Sequence, residues 1–119
     1  MVEGRSISHL EPLVRSFHDG DLDAFKRMLD RGEDVNSIDN RDGLSVLMLA
    51  GLYNDEEFVD ALFDHHDRHQ TLDFDLKSNF GANAVAVTFL AGHRALALKI
   101  LRYEMAYKRA SGLAPPGVP

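Results

Sequence analysis

The chain is 119 residues long, enough for one domain with a continuous but modest core. Hydrophobic residues make up 45% and charged residues 27%, the balance of an ordinary globular chain and not of a disordered one. A formal net charge of −6 argues against nucleic acid, which would need clustered Lys and Arg, and the lack of cysteine excludes a disulfide framework and thiolate metal sites.

The N-terminal MVEGRSISHLEP has no charged-then-apolar signal pattern, so the expected location is the cytoplasm. No apolar run approaches the roughly 20 residues of a membrane span, so no membrane partner is expected. Residues 1–8 read as a short lead-in. From about Ser8, Leu10, Leu13, Val14 and Phe17 recur at helical spacing with Pro12 in the first turn, where a missing N–H costs little. A second helix is predicted over about Leu22 to Arg31: Leu22, Phe25, Met28 and Leu29 form one apolar stripe, Asp19, Asp21 and Asp23 cluster at the start, and Lys26, Arg27 and Arg31 follow. Gly32 supplies a left-handed residue to end it.

Turn formers crowd Ser37 to Gly43 and predict a projecting β-hairpin finger between Asn36 and Leu44. Helices three and four are expected at about Ser45 to Tyr53 and Glu56 to His65, and a second hairpin finger at Leu76 to Ala82. Over the next stretch Val85, Val87 and Phe89 alternate with small or polar residues, which alone argues a strand. The interval from Gly81 to Gly92 nevertheless equals that from Gly43 to Asn54, eleven positions, and this register assigns helix. The last helix is expected from Arg94 to about Ala110, and residues 111–119, rich in Pro and Gly, as a flexible tail.

The unit recurs: Asn54 lies 34 positions after Gly20, and Gly92 38 after Asn54. A helix–turn–helix unit with a period near 33 is the pattern of stacked repeats whose stripes are buried only by their neighbours. With Gly20, Asp21, Leu22 and Asp23 followed by Gly32, Glu33, Asp34, Val35 and Asn36, with Asp42 to Ala50 opening the next unit and with the Gly92-His93 pair, the chain resembles the ankyrin repeat family over roughly residues 9–109. The resemblance implies an all-α fold, an ankyrin-repeat solenoid of stacked antiparallel helix pairs with projecting β-hairpin loops, with repeats at about 9–38, 39–76 and 77–110. The sequence departs from the pattern where the family's Thr-Pro-Leu-His becomes Ser45 to Met48 and Asn83 to Ala86, although Ser45 and Asn83 can still cap helices. His66 stands where a terminating Gly belongs, and about five extra residues near Asp67 to Thr71 predict an enlarged loop. Through the same resemblance, Asn40, Arg41, Leu44, Leu52 and Tyr53 in the second repeat, and Asn79, Phe80, Ala82 and Leu90 in the third, are the expected partner-contacting positions.

Catalytic chemistry has little to stand on. His65 and His69 have the i, i+4 spacing of a metal pair, but no third ligand follows from the sequence, and the acidic residues Asp55, Glu56, Glu57, Asp60 and Asp64 fit a solvated helix face. No phosphate loop or nucleophile motif is present. The expectation is a non-enzymatic module without cofactor or metal that binds a partner protein, its size and acidity suiting a small regulator or a toxin-neutralising protein. The alternative is a homodimer formed through the C-terminal repeat, using Val87, Phe89, Leu98 and Tyr103. A sheet strand at Val85 to Phe89, or separate cores for Phe25 and Phe58, would overturn the whole reading.

Overall fold

The computed structural model describes residues 12–39 and 42–112. It is mostly helical: α1 (Pro12–His18), α2 (Leu22–Asp30), a two-stranded antiparallel ribbon β1 (Ile38–Asp39) and β2 (Leu44–Ser45), α3 (Val46–Leu52), α4 (Glu56–His69), α5 (Ala84–Leu90) and α6 (Arg94–Ala110). In the ribbon Ile38 faces Ser45 and Asp39 faces Leu44. Among the described residues no helix is long and apolar enough to cross a membrane. The lead-in and most of the tail lie outside the described residues, as do Leu10 and the expected start of the first helix.

Local chemistry sets the helix starts. Asp21 caps α2 by accepting the Ala24 N–H through its carboxylate at 3.0 Å. Ser45 Oγ accepts the Met48 N–H at 3.2 Å, and Asn83 Oδ1 accepts that of Ala86 at 2.9 Å. Each bond satisfies a donor that the first helical turn leaves without an intrahelical partner.

The three corners within helix pairs share one geometry. Gly20, Asn54 and Gly92 take positive φ values of 70°, 57° and 92°. Their N–H groups donate to Phe17, Gly51 and Phe89, and the N–H groups of Asp21, Asp55 and His93 reach back to Ser16, Ala50 and Thr88. This pair of bonds closes a helix end around a left-handed residue. A non-glycine at Asn54 is accommodated because asparagine tolerates that conformation better than other side chains.

Packing then joins the pairs. Each helix packs on its successor within a pair (α1 on α2, α3 on α4, α5 on α6), while α3 also packs against α1 and α5, and α2 against α4. Phe25 and Phe58 meet edge to face at 4.9 Å, and Phe17 adds a contact to Phe58 at 5.0 Å, so these rings share one core. Between α3 and α5 the approach is so close that a Cβ on Gly51 would lie 1.8 Å from Thr88 Oγ1. Further along, Phe63 stacks on Tyr103 with ring centroids 3.8 Å apart. One side chain ties two loops: Asn36 donates to the Thr71 carbonyl at 2.9 Å and accepts the Asp73 N–H at 2.8 Å.

Three expectations are corrected. The helix expected to end at His65 runs on to His69, so the extra residues lengthen α4 by about a turn instead of enlarging a loop. Its terminator is Gln70, at φ 54°, and not the His66 position; His66 is buried and accepts the Leu72 N–H through Nδ1 at 2.9 Å. The second finger has no strand pairing among the described residues. Instead, Ser78 folds it as a turn, its N–H bonded to the Ala82 carbonyl at 2.9 Å and its Oγ accepting the Phe80 N–H at 3.2 Å. Residues 85–89, whose alternation alone suggested a strand, are helical, with Ala84 and Thr88 buried one turn apart.

Candidate binding surface

α3 is buried along most of its length, whereas α5 buries only Ala84 and Thr88, and the most exposed of the expected contact residues sit at the ends of these helices and in the turn before α5. Tyr53, the C-cap residue of α3, is 62% exposed, its ring leaning on Phe17 at 6.1 Å. Phe80 in the Ser78 turn is 80% exposed, and Leu90, the last residue of α5, 79%. These three carry the largest exposed apolar fractions among the expected contact residues. Each is anchored by a backbone hydrogen bond of its own or of its neighbour: Tyr53 N–H to the Leu49 carbonyl, Phe80 N–H to Ser78, and Ala91 N–H to the Val87 carbonyl.

The other expected positions divide differently. Asn40 and Arg41 lie outside the described residues. Leu44 is buried and belongs to the hydrophobic core; it is no contact residue, because its strand pairing with Asp39 and its place directly before α3 turn it inward. Leu52 is half-buried against the core, and its carbonyl lies 3.1 Å from His93 Nε2. Asn79 is exposed but is also a joint between fingers, its N–H reaching the Asp42 carbonyl at 3.3 Å and its side chain closing against Gly43. Ala82 is half-buried. Of the residues expected at a C-terminal dimer contact, Tyr103 instead serves inside the stack, its hydroxyl 3.0 Å from the Phe63 carbonyl and bonded to the Asp67 carboxylate. Burial and that carboxylate push the Tyr103 hydroxyl well above the usual phenol range. Val87 packs against the core, whereas Phe89 and Leu98 are exposed.

Among the described residues the histidines are not brought together as a group of three or more. His65 and His69 both project from α4 with rings 4.6 Å apart, but His65 is buried, and no cluster of three His, Cys, Asp or Glu that could hold a metal occurs among the described residues. His65 Nδ1 and His66 Nε2 are buried without a hydrogen-bond partner. Burial is the leading cause that lowers the pKa of both imidazoles. The outer helices carry cross-pair electrostatics instead: Lys99 reaches Glu56 at 2.7 Å and Asp60 at 2.6 Å, and Lys108 reaches Asp75 at 2.8 Å. An open groove of about 490 Å³ between α2 and α4 has mixed charge, with Lys26 and Arg68 among Asp30, Asp60 and Asp64.

Sequence reasoning did not single out Thr88, and it named Asn36 and His93 as parts of motifs without assigning them the contacts by which all three join one pair to the next. Their signal was weak because each acts on a residue about 35 to 41 positions away. Compared with known proteins, the chain matches no family model and has no significant match among curated proteins.

Proposed function

We propose that this protein is a non-enzymatic, ankyrin-like repeat module that binds a partner protein across its fingers and inner helices. Three helix pairs with equivalent corners support the repeat reading, as do the cross-loop bonds of Asn36 and the finger contact between Asn79 and Gly43. The observation that carries the binding reading is the exposure of Tyr53, Phe80 and Leu90 on elements whose opposite sides are locked into the core. Large side chains on a backbone held by hydrogen bonds suit this role, because aromatic anchors carry much of the energy at interfaces and little backbone entropy is lost on docking. The partner is a protein with an apolar patch, and the net charge of −6 favours a basic one by accelerating encounter. A small regulator or toxin-neutralising protein acting in the cytoplasm fits this size and charge.

The test is Tyr53→Ala combined with Phe80→Ala. The protein is used as bait in extracts of its native source, partners are identified by mass spectrometry, and affinity is then measured with the purified partner. The double variant should bind at least about tenfold more weakly, since two truncated anchors each cost more than about 1 kcal/mol. Phe80→Ala alone should leave the melting temperature within a degree or two, whereas Tyr53→Ala uncovers part of Phe17 and should lower it by a few degrees, so binding is compared well below both transitions. Undiminished binding would assign recognition to another surface.

A further inference from the structure

The face that α5 and α6 turn away from the other pairs is built from the positions by which earlier pairs hold their successors. Counting from the corners at Gly20, Asn54 and Gly92, Phe17, Gly51 and Phe89 are counterparts. Phe17 is covered by Tyr53 and Phe58 and keeps 6% of its surface; Gly51 is covered by Thr88; Phe89 meets no further pair and is 55% exposed. The outer helices repeat the correspondence. Glu56 and Asp60, which hold Lys99, become Arg94 and Leu98 in α6. Phe63, stacked on Tyr103, becomes Leu101, and Asp67, bonded to the Tyr103 hydroxyl, becomes Met105. Leu98 and Met105 are each about half exposed.

The chemistry of the face therefore inverts. Where α4 offers carboxylates to its neighbour, α6 offers apolar side chains and arginine. Neither Arg94 nor Arg102, both exposed, makes an ion pair among the described residues, whereas Lys99 and Lys108 are turned back onto Asp60, Glu56 and Asp75. Leu98, Leu101 and Met105 follow one another at intervals of three and four, the seam along which one helix receives another.

We infer that this end face docks a helix of a partner protein whose apolar stripe is flanked by carboxylates. The site is separate from the one carried by Tyr53 and Phe80, and its ligand has the charge sign that the protein's overall acidity would repel elsewhere. A second copy of this chain is a poorer occupant. Head-to-tail stacking would set Arg27, the first pair's counterpart of Lys99, against Arg94, and would lay the charged Arg31, the counterpart of Tyr103, over the apolar Leu101 and Met105. Face-to-face pairing would gather Arg94 and Arg102 of both copies at one junction.

The experiment follows backbone amide NMR shifts of the full chain against two synthetic helical peptides of about 18 residues, with the same leucine stripe but glutamate flanks in one and lysine flanks in the other. The glutamate peptide should shift Phe89, Leu98, Leu101 and Met105, bind about tenfold tighter than the lysine peptide, and weaken with salt. Leu98→Glu and Arg94→Glu, at exposed positions, should each reduce that affinity about tenfold while leaving the melting transition in place; the wild-type shift map decides the matter if either variant folds poorly. The inference is overturned if millimolar glutamate peptide leaves these amides unmoved, if the two peptides bind equally, if sedimentation shows the chain alone dimerising until Leu98→Glu is introduced, or if the face prefers phosphatidylglycerol vesicles to the peptide.

Discussion

Replacing Gly51 with alanine tests the close approach of α3 and α5 on which the second and third pairs depend. An added Cβ would lie 1.8 Å from Thr88 Oγ1 and 3.1 Å from Thr88 Cβ, and Thr88 is fully buried, with its hydroxyl already donating to the Ala84 carbonyl at 2.8 Å. The side chain has no room to rotate away without losing that bond, which is worth about 1 kcal/mol. Separating the helices to admit the methyl costs about 1–3 kcal/mol by analogy with other overpacked cores. Opposing this, alanine stabilises a helix interior by up to about 1 kcal/mol relative to glycine. The net expectation is a loss of about 1–3 kcal/mol, or about 4–12 °C in Tm for a domain of this size. Urea unfolding of Gly51→Ala, Thr88→Ala and the double variant measures it. The double variant should recover at least about 1 kcal/mol relative to the sum of the singles, because removing the threonine hydroxyl relieves the 1.8 Å clash and leaves only the tighter-than-usual 3.1 Å approach to Cβ. Additive singles, or a Gly51→Ala protein as stable as wild type, would refute the claim that this contact sets the spacing between pairs.

Two other outcomes follow from particular residues. The pKa values of His65 and His66 lie below the ordinary 6.5, so the unfolded chain takes up protons that the folded one refuses. Stability should therefore be complete above about pH 6.5 and fall as the pH drops toward the lowered values; chemical unfolding between pH 8 and 5 reads this, and His66→Asn, which keeps an acceptor near Nδ1, should flatten the slope. Asn36→Ala removes both bonds that join the loops at Thr71 and Asp73 and should cost about 1–2 kcal/mol, with faster amide exchange at Asp73; unchanged exchange there would show that Asn36 is not what orders the loop.

Much of the helical layout was legible because it is written in local chemistry. The Gly20 and Gly92 corners, the Asp21, Ser45 and Asn83 caps and the ends of α6 each depend on groups within about five residues of one another. The candidate binding surface was less legible. Tyr53, Phe80 and Leu90 are exposed as expected, but Leu44 on the same register is core, and Tyr103 fills an inner contact where an outer one was expected. Exposure of an apolar side chain is decided by what another part of the chain lays over it, and residue type says nothing of that.

Phe17 and Phe89 draw the line between the two kinds of information. By itself the sequence determined that both are aromatic residues near the end of the first helix of a pair, because capping and turn chemistry place them there. Only the tertiary structure decided that Phe17 is covered by Tyr53 and Phe58 while Phe89 stands open. Likewise, the extra residues after His65 could have formed a loop; they form another turn of α4, with His66 buried against Phe74 and Tyr107. Helix ends answer to hydrogen bonds between near neighbours, whereas burial answers to contacts some 30 to 40 positions apart, and those come into being only when the pairs stack.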